Sequence, residues 1–234
     1  PSKLLPIVAG VGLYLFTTGV AYAVFNSMTI GPSAGPVTDV PQAEGRLAID
    51  PGEPRNEECP TNGKKFTKTE QKSWDTRRPL AVMIENHLEA RPQSGLNSAD
   101  IVYEAVAEGA ITRFLGIFYC AVQAQDTQLG PIRSARTYYI DWASEYVFPL
   151  YVHVGGAHAS DGLSDTRVRA KEQLIKYGWS AANDMDQGGI GFPTFWRDYE
   201  RLGRTVATEH TMYSTTEKLW EFAANKRDFT NKDP

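Results

Sequence analysis

The sequence predicts an α/β or α+β domain, a mixed sheet that contains a β-hairpin and is flanked by helices, preceded by one transmembrane helix. Three observations predict it. The run Leu4 to Phe25 carries no charge, short apolar runs bounded by turn residues fill the stretch 80–120, and helical patterns alternate with strand-like ones after Pro131. Strands that cluster first and then alternate with helices give a mixed sheet with helices packed on it.

The uncharged run Leu4 to Phe25, LLPIVAGVGLYLFTTGVAYAVF, is long enough to cross a hydrocarbon core of about 30 Å as a helix. Residues 1–25 are therefore expected to be a membrane anchor. The competing reading is a cleaved signal peptide, because Ala21 and Ala23 make an A-x-A site after the apolar core. Lys3 precedes the run, and Asp39, Glu44 and Arg46 are the first charges after it, so the positive-inside bias places the N-terminus in the cytoplasm. The remainder is expected outside the cell membrane, as the extracytoplasmic part of a single-pass protein.

Residues 26–58 hold Pro32, Pro36, Pro41, Pro51 and Pro54 among several glycines and show no apolar period, which reads as a linker. A globular domain is expected over 59–234. Its composition is ordinary for a folded chain, 41% hydrophobic and 22% charged. The net charge of -4 excludes a phosphate-backbone surface, which needs a basic excess to displace counterions. Only Cys59 and Cys120 occur, and outside the cytoplasm such a pair is a disulfide candidate. No second ligand stands at C-x-x-C spacing from Cys59, so zinc is not expected there.

Within the domain, Leu80 to Glu85 is an apolar run between Pro79 and Asn86 and reads as a buried strand. Ile101 to Val106 and Ile111 to Cys120 read as two more, joined by a tight turn at Glu108-Gly109. That turn would pair Ala107 with Ala110 and set Glu104 opposite Arg113, on one face of the sheet. Pro131 then opens an amphipathic stretch, IRSARTYYIDWASEYV, read as a helix. A strand over Phe148 to Val154, a helix over Asp165 to Tyr177 stopped by Gly178, and a helix over Thr215 to Asn225 capped by Ser214 or Thr215 complete the pattern.

Three constellations could carry chemistry. Glu104 and Glu108 with Arg113 could divide acid and base roles, since a guanidinium keeps one carboxylate ionised while burial raises the other. Their bland alternative is an ion pair satisfied on a half-buried sheet. Arg133 and Arg136, spaced i, i+3 at a helix start, would form an anion cradle, unless Asp141 or a nearby glutamate takes them up internally. His153, His158 and His210 could act as bases or ligands, but their spacing is not that of H-E-x-x-H, and a hydrogen-bonded histidine at a strand end is the expectation. Gly155-Gly156 fails the phosphate-loop patterns, and Asp184-x-Asp186 fails the calcium loop because its twelfth position is Phe195. No metal site and no cofactor are expected.

The ordered blocks RPLAVMIENHLEARPQSGLNSADIVYEAVAEGAITRF, GPIRSAR, YVHVGG and EHTMYSTTEKLW closely resemble the YerB-like family of bacterial envelope proteins, a domain of unknown function. The likeness runs from about Arg78 to Trp220. Residues at the family's polar positions are Asn86, Arg91, Gln93, Asp100, Glu104, Glu108, Thr112, Arg113, Arg133, Ser134, Arg136, Asp141, His153 and His210. The resemblance implies an outward-facing lipoprotein or anchored protein. This chain departs from it in having no lipobox cysteine, which points to a spanning helix in place of the lipid, and in stopping at Pro234, where the family continues into a C-terminal domain.

The leading expectation is a membrane-anchored domain that binds an anionic cell-envelope ligand or a partner protein through a polar cleft lined by Asn86, Arg91, Arg113, Arg133, Arg136, Asp141, His153 and His210. The second is a peptidoglycan- or glycan-cleaving hydrolase or lyase using Glu104 or Glu108. A third is an accessory subunit of a membrane complex, because Gly19-x3-Ala23 permits close helix approach. Its partners would be the membrane and other subunits or cell-wall components, with no nucleic acid.

Overall fold

The computed structural model describes residues 12–22, 47–162 and 165–230. The chain divides into two units, Pro1–Gln42 and Ala43–Pro234. In the first unit, residues 12–22 form helix α1. The rest of the predicted span Leu4 to Phe25, and linker residues 26–46, lie outside the described residues. Eleven helical residues rise about 16 Å, half of a hydrocarbon core. Among the described residues no helix is long and apolar enough to cross a membrane.

The second unit opens with a small cross-linked layer. Strands β1 (Glu57–Glu58) and β2 (Lys65–Phe66) pair antiparallel and lead into helix α2 (Lys68–Trp74). Thr67 caps α2 in a reciprocal box with Glu70, which satisfies two backbone donors at the helix start. Glu53 accepts from the Thr69 amide and Arg55 reaches Glu70, so the last residues grouped by composition with the linker bond to this layer. The expected disulfide Cys59–Cys120 is present and packs with Phe66, Trp74 and Tyr119.

The main sheet has five strands in the order β4-β5-β3-β7-β8. These are β3 (Leu80–Glu85), β4 (Ile101–Glu108), β5 (Ile111–Phe118), β7 (Leu150–His153) and β8 (Asp184–Asp186), with β6 (Gln128–Leu129) set apart. β5 runs antiparallel to β3 and β4, while β7 is parallel to β3 and β8 to β7, so the expected mixed sheet with its hairpin is found. β3 is buried along its whole length, as its unbroken apolar run requires of a central strand.

Side chains alternate between the two sheet faces, and each face has its own core. Ala81, Met83, Leu115 and Ile117 pack against Tyr139, Ile140 and Ala143 of α3 (Thr137–Ala143) and Leu174 of α4 (Ala170–Lys176). Leu80, Val82, Ile84 and Phe118 pack on the opposite face. There they meet Leu219, Trp220 and Ala223 of α6 (Thr216–Arg227), which follows the short α5 (Gln187–Ile190). A three-stranded sheet, β6-β10-β9, with β9 (Trp196–Arg197) and β10 (Met212–Thr215), closes that side. Thr215 caps α6 by accepting from the Lys218 amide, as its position before the helical pattern predicts.

One expected helix start moves. Residues 131–136 are extended, and α3 begins only at Thr137. The backbone of this segment is committed elsewhere: Ile132 donates to Met212 O at 2.7 Å, Arg133 to Met83 O at 2.9 Å, and Ala135 to Gly155 O at 3.0 Å. Those bonds join β3, β10 and the turn after β7, and commit the amides of Ile132, Arg133 and Ala135 away from a helical turn. Gly130, at φ +145°, allows the entry, since a Cβ there would meet Tyr213 at 2.7 Å and Met212 O at 2.8 Å.

Candidate functional site

The parallel strands β3, β7 and β8 end at one edge of the sheet, on Glu85, His153 and Asp186. β5 starts at the same edge, where Arg113 is the register partner of Glu85. In open α/β sheets ligands bind outside the carboxyl ends of the strands, because the loops there diverge and leave a crevice. Most of the polar residues singled out in the sequence lie along this edge.

Three arginines crowd its α3 side. Arg113 is only 4% exposed and donates to Ser134 O at 2.7 Å and to Glu108 Oε2 at 2.9 Å. The other oxygen of Glu108 receives Arg136, which also donates to Ala135 O at 2.6 Å. Burial, and then the charge of Arg133, pushes the Arg113 guanidinium below its ordinary value; burial does the same to Arg136. Arg133 is the least satisfied of the three. Its Nε lies 3.2 Å from Glu85 Oε1, yet the angle is not that of a hydrogen bond, and this buried N–H has no hydrogen-bond partner. Among the described residues its outer nitrogens reach only Glu209, at 3.5 Å to the carbonyl and 3.8 Å to the carboxylate.

The hairpin register differs from the expectation by one residue. Gly109 and Ala110, both at positive φ, form the turn in place of Glu108-Gly109. Ala105 therefore faces Arg113, and Glu104 faces Phe114. Because side chains alternate, that slip moves Glu104 to the other face of the sheet. A bulge at Ala107, between the pairs Val106↔Thr112 and Glu108↔Ile111, returns Glu108 to the face of Arg113. Glu104 instead accepts from Thr112 at 2.6 Å and from Asn86 Nδ2 at 3.1 Å, while Asn86 Oδ1 accepts from Arg91 and Gln93, each at 3.0 Å. The two carboxylates expected to share catalysis thus belong to separate networks on opposite faces.

The histidines divide likewise. His210 is buried and contacts Glu85 Oε2 through Nδ1 at 2.8 Å, with Nε2 lying 3.5 Å from Glu89 Oε2 and its ring stacked on His87 at 4.9 Å. His153 is held at both ring nitrogens, by Asp184 Oδ1 at 2.6 Å and Gly155 O at 2.7 Å, which fits the hydrogen-bonded strand-end residue expected. Burial raises the neighbouring Asp186 carboxyl. The His153 charge, the amides of Gly155 and Gly188, and Lys171 outweigh that and hold it below the usual value. Asp141 does not join the edge; it accepts from Gln173 and Tyr177, each at 2.6 Å, between α3 and α4.

Arg113 is buried in this strip of arginines, and the side chains of Arg133 and Arg136 are 24% and 21% exposed. Clefts of about 350 Å³ beside Arg77 and Trp220, about 420 Å³ beside Phe192 and Phe222, and about 390 Å³ over Asp141 and Arg169 lie elsewhere among the described residues. Sequence reasoning missed Glu85, His87, Glu89, Glu209, Asp184 and Asp186 as members of the edge. The charged pairs H-x-E after β3 and E-H before β10 were the available signal, but nothing in their spacing links positions 85 and 210.

The family described as "Protein of unknown function (DUF3048) N-terminal domain" matches residues 66–230. The chain belongs to this family. The match includes every edge residue described above. A curated relative, "Putative lipoprotein YerB" of Bacillus subtilis (strain 168), is 44% identical over 130 residues, which are 56% of this chain and 34% of that protein. The crystal structure of YerB protein from Bacillus subtilis matches at a TM-score of 0.56 and 32% identity, covering 74% of this chain and 50% of that one. The chain thus spans between a third and a half of the length of these relatives. Neither name specifies a reaction.

Proposed function

We propose that this family member is a membrane-tethered extracytoplasmic domain that binds an anionic cell-envelope group, a carboxylate or phosphate, along the carboxyl edge of its sheet through Arg133 and Arg136. One observation carries the reading: Arg133 holds a buried N–H without a hydrogen-bond partner and has only long contacts at its outer nitrogens. A guanidinium whose outer nitrogens make only long contacts gains more from a bidentate oxyanion than one whose outer nitrogens are closely bonded. Arg113 and Arg136, both pushed down by burial, add positive potential behind it. Glu108 and Glu209, each more than half exposed, are the groups an incoming anion displaces. Tethering is supported by the uncharged run Leu4 to Phe25 and by the description of the relative as a lipoprotein.

The geometry gives no support to glycan cleavage by Glu104 and Glu108, which needs two carboxyls flanking one bond. Titrating soluble peptidoglycan fragments and inorganic phosphate into the chain tests the binding reading. Arg133→Ala and Arg136→Ala should each weaken binding about tenfold, the loss of one charge-assisted bond. Equal affinity in the double variant and the wild type would overturn it.

A further inference from the structure

We propose that His87, Glu89 and His210 form a site for a first-row transition-metal dication, zinc in the first instance, with Glu85 as the carboxylate that orients His210. The site adjoins the arginine strip through Glu85, which also pairs with Arg133, and goes beyond the anion-binding reading. One ligand atom from each of the three residues lies within 4.8 Å of the others. Four-coordinate zinc with bonds near 2.05 Å places its ligands about 3.4 Å apart. His210 Nε2 and Glu89 Oε2, at 3.5 Å, already stand at that spacing. His87 joins them by turning out of its stack on His210, where the two rings lie 4.9 Å apart and 12° from parallel.

The second observation is the backing of His210. Its Nδ1 faces Glu85 Oε2 at 2.8 Å and its Nε2 faces Glu89 Oε2 at 3.5 Å, so a metal at Nε2 would displace any proton there while Glu85 holds the one on Nδ1. A carboxylate behind one imidazole nitrogen, with the other aimed at a ligand cluster, is the arrangement that fixes the tautomer and raises the basicity of metal-bound histidines. Glu85 is buried at the end of the central strand, so the orientation is rigid. His87 and Glu89 stand on the turn that follows the same strand, where His87 caps the 3-10 helix Leu88–Ala90. Arg204 pins that turn by donating to Glu89 O at 2.7 Å.

The ligand chemistry selects the metal. Two imidazoles and one carboxylate suit zinc, cobalt or nickel, whereas magnesium and calcium take oxygen donors almost throughout. Three protein ligands leave the fourth position for water or a substrate atom, and Glu89 and His87 open that side to solvent. Ligation costs His87 its cap to the Glu89 amide, a single bond of 3.2 Å. Glu85 and Glu89 supply the negative charge, with Arg133 balancing only the former.

The test is titration of the untagged full chain with Zn2+ by calorimetry and with Co2+ by visible absorption. The wild type should take up one equivalent, with the intense ligand-field bands of a four-coordinate cobalt site. His87→Asn and Glu89→Gln change accessible side chains on one turn; each should weaken zinc at least ~10-fold and leave metal-free thermal unfolding unchanged. His158→Ala, away from the site, should change nothing. Absence of a one-to-one complex in the wild type, undiminished affinity in both variants, or a loss confined to His158→Ala would overturn the proposal.

Discussion

Arg113 and Glu108 meet across the hairpin at 2.9 Å because one residue, Ala107, is bulged out of the ladder between them. Without the bulge the alternation of side chains would put Glu108 on the opposite face and leave a guanidinium that is 4% exposed without its carboxylate. The bulge therefore decides which glutamate of β4 joins the arginine strip.

Glu108→Ala should destabilise the domain by about 1–2 kcal/mol. Breaking a fully buried pair costs roughly 3–5 kcal/mol, and half-exposure of Glu108 screens part of that. Glu104→Ala, which removes the hydrogen bonds from Thr112 and Asn86, should cost less. Urea midpoints of the two variants check the order, and a larger loss in Glu104→Ala would contradict the observed register.

Asp100 gathers the backbone amides of Tyr119, Cys120 and Ala121 at 2.6, 2.9 and 3.2 Å. An amide in its place turns one acceptor into a donor facing donors. Asp100→Asn should cost about 2 kcal/mol, the scale of a buried unsatisfied group, measured by equilibrium denaturation with the disulfide intact.

The disulfide Cys59–Cys120 closes a loop of 61 residues in sequence separation. Loop-closure entropy assigns it about 4 kcal/mol through the unfolded chain. Reduction should lower the urea midpoint accordingly, and an unchanged midpoint would show that the bridge contributes nothing.

Asp186 titrates below its ordinary value of 3.8 in the folded protein. A depressed carboxyl stabilises the fold above its unfolded value and loses that contribution as pH falls through the folded one. Stability should therefore decline below about pH 4, and Asp186→Asn should flatten that acid limb. Acid titration of thermal midpoints in both proteins gives the comparison.

The sequence announces the elements better than their neighbours. β3 spans the six residues Leu80–Glu85 that its apolar run marks, and α6 follows its Thr215 cap. The hairpin was legible, but its register was not, because Ala110 takes a positive φ that alanine seldom adopts and the bulge compensates elsewhere. Ile132, Arg133 and Ala135 carry no sign that their amides bond to β10, β3 and the turn after β7, which leaves the helix to open at Arg136. Glu85 and His210 stand 125 residues apart, and only the folded sheet brings them together.

The central claim is that Arg133 and Arg136 receive an oxyanion at the carboxyl edge of the sheet. Side-chain Nε–Hε resonances of the arginines, followed by NMR during titration with phosphate and soluble peptidoglycan fragments, test it most directly. The account predicts saturable shifts of Arg133 and Arg136 with Arg77, on the far side of the domain beside Trp220, unmoved. Shifts absent from Arg133 and Arg136, or equal across all arginines, would contradict it.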